Sequence, residues 1–79
     1  MTQDEIEALA VMILHELRAA GRAGLELGVL GDRLVPRGVA AKVADEKRRA
    51  VGAVMRWLLS QGAVDTTPAG AYVAVRGFP

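Results

Sequence analysis

Apolar residues recur with helical spacing in the segment that precedes a short β-like pattern near the end of the chain. Four of them follow the i, i+3, i+4, i+7 order of one buried helix face: Val51, Val54, Met55 and Leu58. We predict a helix over residues 45–61, with Asp45 as its N-cap. Gly62 supplies the stop, because glycine tolerates the left-handed conformation that closes a helix.

The residues after this helix have the pattern of a β-hairpin. Two short runs with alternating side chains, 63–66 and 71–75, flank the sequence Thr67-Pro68-Ala69-Gly70. Proline presets φ at the second position of a turn, and glycine is favoured at its end. The sequence therefore predicts two antiparallel strands within residues 63–75.

A first helix is predicted over residues 3–20. Its apolar residues form one stripe: Ile6, Leu9, Ala10, Ile13, Leu14, Leu17 and Ala20. Thr2 and Glu5 have the spacing of a capping box, in which the two side chains satisfy free N–H groups at a helix start. This helix begins immediately after Thr2.

A second, shorter helix is predicted over residues 25–35, where Leu27, Leu30 and Leu34 share a face. Its two glycines each weaken it by roughly 1 kcal/mol relative to alanine, so it depends on packing. Two interpretations are open for residues 39–44, which either begin the third helix early or form a separate turn. We favour a break before Asp45.

Composition narrows the range of functions. The chain of 79 residues is expected to form one domain, 1–79, near the lower limit for a self-sufficient core. It contains no cysteine, which excludes disulfides, cysteine-based zinc sites and thiol catalysis. His15 is the one histidine, and no glycine-rich phosphate motif occurs. We therefore expect no catalytic site, no metal and no cofactor.

Charge is nearly balanced overall but unevenly distributed. Ten basic and nine acidic residues give a net charge of +1, which is only weak support for nucleic-acid binding. Acidic residues are concentrated in the first helix, and six basic residues lie between positions 37 and 56. The longest apolar run is too short to cross a bilayer, and the acidic first helix is unlike a membrane-surface helix. We expect a cytoplasmic protein that does not bind membranes.

The order of elements resembles the winged-helix family of DNA-binding domains. The resemblance lies chiefly in RRAVGAVMRWLLSQGAVDTTPAGAYVAV, which is similar to a recognition helix followed by a wing, and LELGVLGDRL would be the preceding helix. It implies an α+β, mostly α fold with three helices and a two-stranded wing. Two features differ from the family pattern: the long connection 35–44, and a wing without arginine or lysine between Arg56 and Arg76.

The resemblance implies that the third helix contacts duplex DNA, as in transcription regulators and nucleoid-associated factors. The candidate contact residues are Lys42, Lys47, Arg48, Arg49 and Arg56. Helical spacing places Arg49 and Arg56 nearly opposite the buried Val51. The alternative is a solvated helix face, on which Asp45 and Arg49 form a local ion pair.

A second hypothesis makes the domain a protein–protein module, an adaptor or an assembly subunit without DNA binding. Its candidate interface residues are Trp57, Tyr72 and Phe78. Trp57 and Tyr72 are more ordinary as packing residues, although tryptophan is frequent at interface hot spots. A homodimer is expected under the DNA-binding hypothesis, since pairing would bury more surface around a small core.

Overall fold

A computed structural model describes residues 1–75. Three helices precede an antiparallel pair of strands, so the predicted α+β, mostly α architecture is confirmed. The elements are α1 (Gln3–Ala20), a short 3-10 turn (Gly21–Ala23), α2 (Leu27–Leu34), α3 (Ala41–Ser60), β1 (Val64–Thr66) and β2 (Tyr72–Ala74). The layout is consistent with a winged helix.

Helix α1 has the predicted bounds and the predicted cap. The hydroxyl of Thr2 accepts a hydrogen bond from the backbone N–H of Glu5 at 3.2 Å. The helix ends where Gly21 adopts φ 67°, a left-handed conformation that favours glycine. Asp4 and Glu5 lie in the first turn and Arg18 in the last, which suits the helix dipole at both ends.

Helix α2 starts two residues later than predicted, because Leu25 belongs to the sheet. The backbone N–H of Leu25 donates to the carbonyl of Tyr72 at 3.0 Å, and the N–H of Tyr72 donates back at 2.8 Å. Gly24 precedes this bridge with φ 67°, and a Cβ there would overlap the carbonyl oxygen of Tyr72 and lie 2.8 Å from Val73 Cγ1. Helix α2 therefore begins at Leu27.

Helix α3 starts at Ala41, so the prediction of a break at Asp45 is wrong. Ala40 is the N-cap residue and makes no side-chain cap bond. Alanines at positions 41 and 44 are strong helix formers, and they extend the helix by one turn ahead of Asp45. The connection between α2 and α3 is consequently residues 35–40. It is shorter than the connection 35–44 expected from the sequence, because the third helix begins earlier.

The hairpin forms where it was predicted. The register pairs Val64 with Ala74, Asp65 with Val73 and Thr66 with Tyr72. A backbone bond from the N–H of Gly70 to the carbonyl of Thr67, at 2.9 Å, closes the turn. Because Leu25 pairs with the other edge of β2, β2 lies in the middle of a small sheet that ties the hairpin to the chain after α1.

The core lies between α1, α3 and the base of the hairpin. All four residues predicted as the inner face of α3 are at most 2% exposed. The other fully buried side chains of the larger apolar residues come from the first two helices: Ile13, Leu14, Leu17 and Leu30. Leu27, which was predicted to share the face of Leu30, is 38% exposed. Among residues 1–75, no polar or charged side chain is buried.

Candidate nucleic-acid interface

The side of α3 that points away from the core is polar and exposed. Its residues, which we call the outer α3 face, are Lys42, Asp45, Arg49, Ala53, Arg56 and Ser60. They lie roughly opposite the buried face of the helix, which has 3.6 residues per turn. The buried face anchors α3 on α1 and α2, so the outer α3 face is held on a fixed support.

Three cations are regularly spaced along this face. Lys42, Arg49 and Arg56 follow one another at intervals of seven residues, which corresponds to about 10.5 Å of helix rise per step. In the part of the chain that the structure describes, none of the three takes part in an ion pair. Their charges are therefore available to an anionic partner.

Two carboxylates lie beside these cations. Asp45 is three residues after Lys42 and four before Arg49, and Glu46 is four after Lys42 and three before Arg49. Neither takes part in the two ion pairs found among the described residues. A helix that presents both donors and an acceptor offers the two kinds of group that read base edges in a major groove.

Arg48, a predicted contact residue, is directed toward α2 instead. Its Nη2 lies 2.8 Å from Oδ1 of Asp32. Its aliphatic stem passes over the buried Gly31, where a Cβ would lie 3.4 Å from Arg48 Cγ. Both charged side chains of the pair are substantially exposed, so the pair positions Arg48 more than it stabilises the fold.

Lys47 also lies away from the outer α3 face. It lines a groove between α1 and α3, together with Glu5 of α1 and Glu46 of α3. Successive residues of a helix are rotated by about 100°, so three consecutive basic residues necessarily point in three directions. The structure thus places Lys42, Arg49 and Arg56 on one face of α3. Lys47 lies on the side toward α1, and Arg48 lies on the side toward α2.

The aromatic candidates are partly buried. Trp57 and Tyr72 both pack against the hydrophobic core, and the hydroxyl of Ser60 donates to the carbonyl of Trp57 at 2.6 Å. Tyr72 is also the residue of β2 that bridges to Leu25. Phe78, the third interface candidate, lies outside the described residues.

The hairpin contributes no positive charge to the candidate interface. Residues 57–75 contain neither lysine nor arginine, and the exposed Asp65 is the one charged residue of the hairpin. Its Oδ1 accepts a bond from the N–H of Thr66 at 2.8 Å. The base of the hairpin is apolar, since Ala63 and Val64 belong to the core. The hairpin therefore supports α3 through packing.

Within residues 1–75, no three histidine or acidic side chains come together in a way that could hold a metal ion. None of the helices described is both long and apolar enough to cross a bilayer.

Neither protein-family models, nor curated protein sequences, nor solved structures gave a match to this chain.

Proposed function

We propose that this protein is a small winged-helix DNA-binding protein, a transcription regulator or nucleoid-associated factor of the cytoplasm. The outer α3 face is the surface that enters the major groove of duplex DNA. The observation that carries the proposal is the row of three exposed cations, Lys42, Arg49 and Arg56, which make no ion pair with any described residue.

The architecture supports this role for α3. An α-helix fits the major groove, which is about 12 Å wide, and the preceding helix of such an arrangement crosses the phosphate backbone. Helix α2 packs on α3, and the exposed pair of Asp32 and Arg48 joins the two helices at the surface. The hairpin, which carries Asp65 and no cation, acts as a brace and leaves DNA contact to the helix.

The number of cations on the face sets the expected salt dependence. Each phosphate that a protein neutralises on B-DNA adds about −0.9 to the slope of log K against log salt concentration. Three contacts predict a slope of roughly −2.7 per protomer, whereas all five basic candidates would give about −4.5. The slope therefore distinguishes the arrangement of the structure from a simple count of basic residues.

The experiment compares Arg49→Gln with Lys47→Gln in fluorescence-anisotropy titrations of a labelled duplex at several salt concentrations. Both variants remove one positive charge from the same helix, two residues apart. We expect Arg49→Gln to make the slope shallower by about 0.9, because one phosphate contact is lost. Lys47→Gln, which changes a residue of the groove beside α1, should leave the slope nearly unchanged.

Two results would contradict the proposal. One is the absence of measurable duplex binding at low salt by a protein whose circular dichroism shows it to be folded. The other is an equal change of slope in the two variants, which would mean that α3 does not present its outer face to DNA. A folded protein that binds no duplex DNA would favour the alternative function, an adaptor or assembly module that binds a protein partner through another surface.

A further inference from the structure

A second outward surface, on α1, is apolar where a solvated helix would be polar. Val11 is 58% exposed and Met12 is 48% exposed. They belong to a stripe on the side of α1 opposite its buried residues. Apart from the charged residues near the helix ends, this stripe, which we call the outer α1 face, consists of Ala8, Val11, Met12, His15 and Ala19. Four of its five members are apolar, so this face is suited to being covered.

The outer α1 face continues into the groove between α1 and α3. Met12 and Ala8 line this groove together with Leu34 of α2 and Val43 of α3, and Val43 is itself 41% exposed. Met12 also lines a neighbouring depression beside His15. Exposed apolar residues thus extend from the outer α1 face into this groove, which Glu5, Glu46 and Lys47 also line. The apolar surface is larger than a single exposed side chain.

Charges at the two ends of α1 indicate what covers this surface. Asp4 and Glu5 are exposed at its beginning, whereas Arg18 and Arg22 are exposed at its end. No ion pair among the described residues involves any of these four. A helix that is acidic at one end, apolar in the middle and basic at the other is complementary to itself when a second copy runs antiparallel.

We propose that two copies of this chain pair through their outer α1 faces, with α1 of each running antiparallel to α1 of the other. The two-fold axis passes near Val11 and Met12. Antiparallel pairing then brings Asp4 and Glu5 of each copy to the Arg18 and Arg22 end of the other. The result is a closed dimer in which both copies use the same surface.

The spacing along α1 fits this arrangement. Measured from a midpoint between Val11 and Met12, Asp4 lies about 11 Å along the helix and Arg18 about 10 Å in the other direction. The opposite charges of two copies therefore meet at nearly equal distance from the axis. Ala8 and Ala19 are small, so the two helices can approach closely on each side of the central Met12 residues.

The dimer surface is distinct from the outer α3 face. The α3 residues of the groove lie on the flank of α3 that faces α1: Val43, Glu46, Lys47, Ala50 and Val51. Lys42, Arg49 and Arg56 are on the outward side and stay accessible in such a dimer. Pairing through α1 does not depend on DNA binding, so the two proposals can fail separately.

The first test is sedimentation-velocity centrifugation without DNA over a range of protein concentrations. Met12→Glu places a carboxylate beside its own symmetry mate and should weaken dimerisation at least 100-fold. Ala53→Glu is the matched control, because it adds the same charge to an exposed residue of α3. The control should dimerise like the unchanged protein.

The second test uses charge reversal and mixing. One variant carries Asp4→Lys with Glu5→Lys, and the other carries Arg18→Glu with Arg22→Glu. Each should be at least tenfold weaker as a dimer on its own, because like charges then meet at both ends. An equimolar mixture should form a heterodimer, since each end again pairs opposite charges.

Recovery in the mixture would also show that both variants are folded. A protein that is monomeric at all concentrations would overturn the proposal, and so would a dimer that Met12→Glu leaves intact. A mixture no more associated than its two components would exclude the antiparallel orientation. None of these outcomes depends on whether the protein binds DNA.

Discussion

Helices α1 and α3 have similar inner faces and opposite outer ones. Both bury four apolar residues in the same core, and both are 18 or more residues long. Outward, α3 presents Lys42, Arg49 and Arg56, whereas α1 presents Val11 and Met12. Packing requirements therefore account for the inner pattern of each helix and leave the outer pattern unexplained.

The difference indicates a division of labour between the two helices. A single exposed apolar residue needs no explanation, but a continuous apolar side on a small protein is typical of an interaction surface. A row of unpaired cations on a helix is typical of contact with an anion. Under the two proposals, α3 faces duplex DNA and α1 faces a second copy of the chain, and the following substitutions separate their roles.

The largest expected effect comes from Leu58→Ala, which removes a side chain from the core on which both α1 and α3 pack. Leu58 is 0% exposed, and truncation of a buried leucine costs about 2–5 kcal/mol of the free energy of unfolding. Urea denaturation followed by circular dichroism measures the loss. Leu59→Ala, at the half-buried neighbouring position, is the control and should cost clearly less. Equal losses would show that α3 is packed differently.

An intermediate effect is expected from Ala53→Glu, which changes only the outer α3 face. The new carboxylate lies between Arg49 and Arg56, so it should repel phosphate and reduce duplex affinity about tenfold, or ~1.4 kcal/mol. Anisotropy titrations at low salt measure this. Met12→Glu is the control, because it adds the same charge to α1. If it lowered the duplex affinity of each protomer as much as Ala53→Glu does, the outer α3 face would not be the DNA-binding surface.

The smallest effect is expected from Gly52→Ala, which touches neither surface. A Cβ at Gly52 meets no atom within 4 Å, and alanine is the better helix former by about 0.5–1 kcal/mol. Thermal denaturation should therefore show a modest gain in stability with DNA affinity unchanged. Gly24→Ala is the contrasting variant and should destabilise, because the new methyl group would collide with Tyr72. A gain from both substitutions would contradict the described backbone at Gly24.

Much of the fold could be predicted from local patterns. The cap at Thr2, the inner face around Val51 and the turn at Pro68 each depend on residues close together in sequence, and each was predicted correctly. The break predicted at Asp45 was wrong for a local reason, the helix propensity of the alanines at positions 41 and 44. The start of α2 was wrong because a distant partner decides it. Leu25 leaves the helical pattern because Tyr72 is available to pair with it, and no local signal records that partner.

The candidate contact residues could be predicted only in part. Their basic character was plain from the sequence, but Asp32, which holds Arg48, belongs to another helix. Lys47 was assigned to the interface although its helical position was already toward α1, so spacing could have excluded it. The apolar residues Val11 and Met12 fall outside the stripe predicted as the buried face of α1, so their outward position could have been found from helical spacing.

The bridge between Leu25 and Tyr72 has a mechanical consequence. Residues 26–71 form a loop whose two ends are held together by a reciprocal pair of backbone hydrogen bonds, and both α2 and α3 lie inside it. The same segment contains β1, which pairs with β2, so the loop is held at its ends by the bridge and near its C-terminal end by the hairpin. Separating the two ends at Leu25 and Tyr72 requires both of the reciprocal bonds to break.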